Sequence, residues 1–458
     1  MRPSSVLCAA TGAIVAAAIA ASTAAAAPPW SAPAATQGAP PSTPVLAFNA
    51  AGLGVLATDT GGGATPDAVG PHTVAALTDE AGAFPGPMTA MTATNFALAD
   101  RFALYGLSRI AGIGTHFSRA RSRAGLVLGT AGDKLTDVRS VGPTDRSGTA
   151  QAIAANPSGD VAASFGVCSN DACEHQSLYL VVRRRGDSPL PSIRVDNVAV
   201  RQISTVAINA RGDMLVAWQA NGGVFARIRT AGGTLYKTER LGNPGEPVRA
   251  ISAVLTADRA AAVAWEAQSV SEGTPGSAAT VDATFKEAGA SHHFHTSQRL
   301  ATVPALATGH YVGARAVKVV LSRDERITAA WTGYANGRFV VRAADLSDFR
   351  FVAAQTLSDP AVDAVLHDVD AGPSSELAVA WETGVAGVDA GAGPPGLAAA
   401  LRAPGAPAFA PAESVEQGAA ALNAALRFDP STGRIVTAWN DLQSIRTSAR
   451  PALVPPAG

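Results

Sequence analysis

Apolar and polar residues alternate along most of this 458-residue chain, in short segments separated by glycine-containing turns. Alternation with a period of two is typical of β-strands, and the segments do not show the 3.6-residue period of a helix. The clearest unit runs from Val206 to Gly242 and contains four such segments. The pattern therefore predicts an all-β protein built from a four-stranded repeat.

An aromatic residue at the end of the second strand marks each repeat. It is Trp218 in the clearest unit, and the same frame aligns a column of eight positions: Thr58, Tyr105, Phe165, Trp218, Trp265, Trp331, Trp381 and Trp439. Glycine lies six residues before the column at Gly52, Gly159, Gly212 and Gly433, and asparagine nine residues before it at Asn49, Asn156 and Asn209. Both residue types tolerate the positive φ of tight hairpin turns.

Eight units of 47 to 66 residues predict a β-propeller with eight four-stranded blades. Seven blades are the alternative, because the second unit lacks a good turn. The last unit supplies only three strands before Pro451, so its fourth strand either comes from the segment before Val45 or is missing. A strand from the N-terminus would join the first and last blades and remove the exposed edges.

The unit around Asn209, Gly212 and Trp218 resembles the N-x-x-G-x-x-V-A-W repeat of exported bacterial propellers. These proteins share an architecture with sialidases and bacterial neuraminidase-repeat proteins, and the resemblance covers nearly all of Val45 to Arg450. It implies a fold but no activity, because propellers host unrelated functions.

The N-terminus predicts export. Arg2, the apolar run Val6 to Ser22 and the small residues Ala24 to Ala27 are typical of a signal peptide. We expect a signal peptide over residues 1–26, a Pro/Ala-rich linker over 27–44 and one propeller domain over 45–458. The mature protein would be secreted or held in a bacterial cell envelope, with no membrane span after signal cleavage.

Charge and side-chain clusters exclude some functions. A formal net charge of −1 argues against a nucleic-acid partner. His293 and His295 could share one face of a strand, but we interpret the cluster from His292 to His295 as solvated. The stretch Asp368 to Gly372 resembles the start of a calcium loop, yet its later acidic ligand is displaced, which favours a turn. We therefore expect no metal, no cofactor and a monomer.

A cation recurs at the end of the third strand of the repeats. Two interpretations are a positive ring that binds an anionic polymer and, as we favour, solvated strand ends whose stems cover apolar surface. The members of this set are Arg183, Arg229, Lys286, Arg342, Arg402 and Arg446.

Polar residues follow the aromatic column and lead into the loops between second and third strands. The long loops are expected at 166–176, 267–278 and 383–396, and insertions gathered on one face suit a binding site. Cys168 and Cys173 lie in the first loop, and in an exported protein they predict a disulfide. The ligand-binding candidates on this face are Asn170, Asp171, Glu174, His175, Gln219, Glu266 and Glu382.

These observations favour a non-catalytic binding or scaffold protein that recognises an extracellular carbohydrate or protein through one loop face. The alternative is a carbohydrate-active hydrolase or lyase with its site at the central channel. Glycoside hydrolysis needs two carboxylates in a set geometry, and no such pair can be assembled from sequence alone.

Overall fold

A computed structural model describes most of the chain downstream of residue 29. The described residues are 30–37, 42–60, 72–79, 83–93, 95–98, 101–117, 122–143, 145–170, 173, 175–189, 191–196, 203–245, 247–268, 278–289, 293–304, 317–384 and 393–453. The predicted signal peptide lies outside these residues.

All regular elements of the described chain are β-strands, and they form eight separate antiparallel sheets. The first strand, β1 (Ala34–Ala35), precedes the repeats. Blade 1 contains β2 (Val45–Phe48), β3 (Gly54–Asp59), β4 (Thr73–Leu77) and β5 (Thr89–Ala90). Blade 2 contains β6 (Phe96–Ala97), β7 (Phe102–Tyr105), β8 (Arg109–Phe117), β9 (Ser122–Thr130) and β10 (Val138–Ser140). Blade 3 contains β11 (Gly148–Ala155), β12 (Val161–Cys168), β13 (Gln176–Arg183) and β14 (Ile193–Arg194). Blade 4 contains β15 (Ser204–Ile208), β16 (Met214–Ala220), β17 (Gly223–Arg229) and β18 (Glu239–Gly242).

The second half of the chain repeats this order. Blade 5 contains β19 (Val248–Leu255), β20 (Ala261–Gln268), β21 (Ala278–Lys286) and β22 (Gln298–Pro304). Blade 6 contains β23 (Val317–Leu321), β24 (Ile327–Ala335), β25 (Arg338–Ser347) and β26 (Arg350–Thr356). Blade 7 contains β27 (Ala364–Ala371), β28 (Leu377–Thr383), β29 (Gly396–Arg402) and β30 (Glu413–Gln417). Blade 8 contains β31 (Leu422–Phe428), β32 (Ile435–Asn440) and β33 (Ile445–Arg450).

The first strands of neighbouring blades pack against each other around the ring, and the first strand of blade 8 returns to that of blade 1. The protein is therefore an eight-bladed β-propeller whose first strands line a central channel. The predicted fold class is confirmed, with eight blades rather than seven.

The ring closes with a strand from the N-terminus. In blade 8, β1 pairs antiparallel with β33, and Ala34 and Ala35 lie opposite Thr447 and Arg446. The segment before Val45 thus supplies the fourth strand, which is one of the two possibilities that the sequence left open. Trp30, just upstream, packs into the core between blades 7 and 8 and is only 9% exposed. β1 therefore takes the outermost position in blade 8, which the fourth strand of the chain repeat occupies in other blades.

The five column tryptophans are buried and fill the space between blades, as the repeat predicts. The alignment is wrong in blade 2, where Tyr105 ends the split first strand β7 instead of lying in β8. The turn glycine of this blade is Gly106, with a φ of 58°. Its second strand β8 carries Gly112 and Gly114 in place of a large column residue. Leu98 fills the space there, since a Cβ on Gly112 would lie 2.6 Å from it.

The turns between first and second strands join neighbouring blades on one face of the ring. The Nδ2 of Asn156 donates to the carbonyl of Asn209 at 3.1 Å, and the Nδ2 of Asn209 donates to that of Thr256 at 2.9 Å. Where the predicted glycine is missing, Arg259 and Glu325 still adopt a positive φ, of 71° and 61°. The turn geometry is therefore kept in blades whose sequence does not display it.

No helix among the described residues is both long and apolar enough to cross a membrane.

Candidate functional site

The loop between β12 and β13 carries most of the predicted ligand-binding residues, and a disulfide holds it. Cys168 and Cys173 are bonded, as predicted, with their Cα atoms 4.7 Å apart. The N–H of Ser169 donates to the carbonyl of His175 at 2.8 Å, and Cys173 adopts a φ of 54°. The Nε2 of Gln176 donates to the Sγ of Cys173 at 3.1 Å. The loop is therefore cross-linked at its base and bent tightly near its tip.

Two of the predicted ligand-binding residues on this loop are exposed at the surface. Asn170 and His175 lie on either side of Cys173 and are open to solvent. Asp171 and Glu174, which were predicted with them, lie outside the described residues. So do large parts of the other two long loops, at 269–277 and 385–392. The geometry of this face is thus defined best at blade 3.

The candidates at the ends of the other second strands are less accessible. Glu266 is fully buried at the end of β20, and Glu382 is 6% exposed near the end of β28. Gln219 is half-buried in β16, and its N–H donates to the carbonyl of Ile203 at 3.1 Å. A dissolved ligand could reach the two glutamates only after neighbouring side chains moved, so the structure does not bring them together with the blade 3 loop on an open surface.

Glu382 forms a buried pair with a histidine that the sequence analysis did not single out. His367 is 4% exposed, and its Nε2 lies 3.3 Å from the Oε2 of Glu382. The pairing of β27 with β28 shifts register between Leu366 and Asp368, which makes His367 the bulged residue of a channel-lining strand. Bulges redirect side chains, and this one turns the imidazole toward the carboxylate. An imidazole beside a carboxylate can exchange a proton.

A cluster of four charged residues connects the first strands of blades 6, 7 and 8. Both Lys318 of blade 6 and Arg427 of blade 8 bind Asp368 of blade 7, the arginine at 2.6 Å. Blades 6 and 8 are not neighbours, so their side chains can meet only where the blades converge at the channel. Asp370, the fourth member, accepts a hydrogen bond from the N–H of Phe428 at 2.8 Å. We call Lys318, Asp368, Asp370 and Arg427 the channel cluster.

Enclosure by three blades changes the acid–base properties of the channel cluster. Burial raises the pKa of Asp370 because it disfavours the charged carboxylate, although the nearby Arg427 opposes the shift. Burial alone would lower the pKa of Arg427, but Asp368 and Asp370 more than compensate and raise it. Arg427 therefore keeps its proton more firmly than a free arginine, and Asp370 is protonated more readily than a free aspartate.

The sequence interpretation of Asp368 to Gly372 as a turn is corrected by these contacts. Residues up to Ala371 belong to β27, and the turn begins at Gly372. The signal that could have found the cluster is the spacing of Asp368 and Asp370, since alternate residues of a strand point to the same side. Nothing in the sequence around Lys318 or Arg427 indicates that they reach the same carboxylate.

The histidine cluster is exposed to solvent, as interpreted from the sequence, but it lies in a loop and not in a strand. His293 and His295 lie in a loop before β22, and separate glutamates pair with them, Glu239 at 3.3 Å and Glu287 at 3.0 Å. His292 lies outside the described residues. No group of three or more potential metal ligands occurs in the described part of the chain.

The third-strand cations are more buried than the sequence suggested. Lys286 is fully buried and donates to the carbonyls of Arg259 and Glu287 at 2.8 and 2.6 Å. Arg402 binds both carboxylate oxygens of Asp345. In blade 8 the equivalent residue is Arg450 rather than Arg446, because Arg450 lies opposite the first residue of β32. Lys286 and Arg402 are therefore held by hydrogen bonds and an ion pair and are not solvated strand ends.

Comparisons with known proteins find only distant structural similarity. No protein-family model matches the chain, and neither does any curated protein. Among solved structures, the BP39L lectin from Burkholderia pseudomallei is 11% identical, with a TM-score of 0.46, over 82% of this chain and 99% of that one. The polysaccharide lyase Uly1 is 8% identical, with a TM-score of 0.41, over 93% and 100%. An α-L-arabinanase from Penicillium chrysogenum is 13% identical, with a TM-score of 0.38, over 70% and 100%. Similarity this low carries no argument about ligand or activity.

Proposed function

We propose that this chain is an exported, non-catalytic binding module, and that the loop between β12 and β13 contributes to a site for an extracellular carbohydrate or protein. The observation that supports it is the Cys168–Cys173 disulfide at the base of an exposed loop. A cross-link over so few residues adds little global stability, but it limits the conformations of the tip. A loop that is already ordered loses less entropy on binding.

The exposed side chains suit recognition of hydroxyl or peptide groups. The amide of Asn170 can donate and accept hydrogen bonds, and the imidazole of His175 can do both in its neutral form. These groups serve equally for sugar hydroxyls and for the backbone of a protein partner. The choice between the two classes of partner is an outcome of the experiment below.

Binding is favoured over catalysis because the groups with catalytic chemistry are enclosed. Lys318 and Arg427 both engage Asp368, which is 1% exposed. His367 and Glu382 face each other, and neither side chain is more than 8% exposed. A polymer at the surface would meet Asn170 and His175 before it met any of these residues.

The test combines a glycan array with capture of proteins from the organism's extracellular fraction. We expect at least one saturable partner, and replacing Asn170 and His175 together with alanine should weaken its binding about tenfold, corresponding to two lost hydrogen bonds. Gln443→Ala is the matched control, because it changes an exposed residue in the equivalent loop of blade 8. Partners that bind the double variant as tightly as the unchanged protein would refute the proposal.

A second candidate function is a carbohydrate-active hydrolase or lyase, and the His367–Glu382 pair favours it. The proton exchange that such a pair permits is the step both reactions require. An activity screen on sialosides, glucans and uronic-acid polymers tests this function. The hydrolase or lyase function would be established by a turnover that falls at least a hundredfold in the Glu382→Gln variant. The absence of turnover with every polymer would exclude this function.

A further inference from the structure

A cavity of about 190 Å³ lies between blades 1 and 2, on the face opposite the loop of Cys168 and Cys173. Its walls come from the beginning of β3, the end of β4 and the turn after β9. Its larger side chains are apolar (Val55, Leu77, Met91, Ile110 and Leu135), while backbone groups and a few polar side chains supply a comparable area of polar surface. The cavity is separate from the channel cluster and from the proposed binding loop.

Smaller side chains on both blades explain why the cavity exists here. Leu77 lies opposite Val55, three residues before column position Thr58, and Phe285 lies opposite Ala262, three residues before Trp265. Leu77 thus occupies the place that Phe285 fills between blades 5 and 6. Leu77 is 37% exposed, whereas Phe285 is 9% exposed.

The aromatic column is also interrupted at this interface. Blade 1 carries Thr58 and the second strand of blade 2 carries Gly112 and Gly114, whereas Trp265 and Trp331 occupy the column positions in blades 5 and 6. Interiors are normally packed without gaps larger than a water molecule, so a cavity of this size is an exception to the interface design of the rest of the ring.

Size and chemistry define what the cavity can hold. An apolar cavity of roughly 150 Å³ accommodates benzene, so this one fits a single ring with a small substituent. Of its described lining residues, only Thr89, Thr130 and Asp133 have polar side chains. Thr130 ends β9 and Asp133 lies in the turn after it, and both can accept a hydrogen bond from a hydroxyl group.

A sugar ring does not suit this cavity. A pyranose carries hydroxyl groups around its whole circumference, and each of them costs free energy when it is buried without a partner. The apolar walls formed by Val55, Met91 and Ile110 provide no side-chain partner. A charged group is also disfavoured, because Asp133 and Arg109, whose Nη1 lies 3.5 Å from the Oγ1 of Thr130, place opposite charges at this rim and do not repay its desolvation.

We propose that the cavity between blades 1 and 2 is a binding site for an uncharged single-ring compound with one hydroxyl group. The ring lies against Leu77, Met91 and Leu135, and the hydroxyl lies at the rim formed by Thr130 and Asp133. The site is independent of the partner that binds the loop of blade 3, so either proposal can fail without the other.

Phenol is the probe, and ligand-observed NMR titration of the exported protein is the measurement. We expect saturable binding with a Kd on the order of 1 mM, as small ligands of this size allow. Galactose and benzylamine serve as comparison probes and should bind at least tenfold more weakly. Equal binding of either comparison probe, or no saturation by phenol, would overturn the proposal.

Leu77→Phe tests the location, because it introduces the side chain that blade 5 carries at the equivalent position. We expect phenol binding to fall at least tenfold while the unfolding midpoint is unchanged or higher. Val352→Phe is the matched control, since Val352 is an exposed apolar residue on blade 6, and it should leave binding unchanged. Full phenol binding by Leu77→Phe would place the site elsewhere.

Asp133→Ala tests the rim and does not depend on filling the cavity. Removal of the carboxylate should reduce the affinity for phenol severalfold and leave the affinity for benzene unaltered. An equal loss for both probes would show that the variant perturbs the cavity as a whole, and it would contradict the assignment of the hydroxyl to this rim.

Discussion

At the scale of single residues, the turn asparagines do more than permit a tight turn. Asn209 is 4% exposed, and its Oδ1 accepts hydrogen bonds from the N–H groups of Arg211 and Asp213 at 3.0 and 2.9 Å. Its Nδ2 donates to Thr256 in the next blade. One side chain therefore shapes the turn of blade 4 and connects it to blade 5.

Asn209→Ala should destabilise the protein by about 2 kcal/mol, because it leaves buried backbone groups of two blades without hydrogen-bond partners. Urea denaturation measures the loss. Gln443→Ala, at an exposed turn position, is the control and should change the free energy of unfolding by less than about 0.5 kcal/mol. A loss no larger than that of the control would show that the connection between the turns is energetically unimportant.

At the scale of elements, the N-terminal segment belongs to the last blade. The N–H of Thr36 donates to the carbonyl of Ile445 at 2.8 Å, and that of Ser31 donates to the carbonyl of Ala449 at 2.8 Å. Trp30 adds apolar contacts with blades 7 and 8. Residues separated by more than 400 positions in sequence meet here. The contact that closes the ring therefore carries a high cost in chain entropy.

Trp30→Ala should reduce the free energy of unfolding by about 3 kcal/mol, the usual cost of truncating a buried aromatic residue. Hydrogen exchange should also accelerate in β33, whose outer edge would lose its cover. Trp30→Phe is the conservative control, and we expect it to lose less than half as much free energy of unfolding as Trp30→Ala. If the amides of β33 exchange in Trp30→Ala as slowly as in the unchanged protein, the closing strand β1 is held by its backbone hydrogen bonds alone.

The strands of blade 2 show how far local pattern predicts an element. Its inner strand is divided into β6 and β7, which pair with different halves of β8. The sequence indicated only that the unit was irregular, because neither half shows a long alternation. The pattern places Tyr105 in the column for that reason and because Gly112 and Gly114 carry no packing signal of their own.

At the scale of the whole molecule, the ring creates environments that no single blade has. The channel cluster forms because three first strands converge, and the raised pKa of Asp370 results from that enclosure. A raised pKa means that folding favours the protonated carboxyl. Its contribution to stability is fully present below the unfolded-state pKa of about 3.9 and is lost as the pH rises through the folded-state pKa.

Asp370→Asn should therefore become increasingly stabilising, relative to the unchanged protein, as the pH rises from about 4 toward neutrality. The asparagine Oδ1 can still accept the hydrogen bond from Phe428, and it remains uncharged at every pH. Chemical denaturation of both proteins at a series of pH values measures the difference. Asp187→Asn, at an exposed turn, is the control, and a pH-independent difference for Asp370→Asn would contradict the shift.

The sequence by itself determined the four-stranded repeat, the position of five buried tryptophans and the disulfide, and it left the number of blades at eight or seven. These features depend on neighbours within about 50 residues, so alternation, turn residues and cysteine spacing record them directly. Only the tertiary structure decided that the segment from Trp30 to Ala35 completes blade 8, that His367 meets Glu382, and that a cavity lies between blades 1 and 2. Contacts between blades join residues that are distant in the chain, and the side chains involved carry no local pattern that distinguishes them from ordinary strand residues.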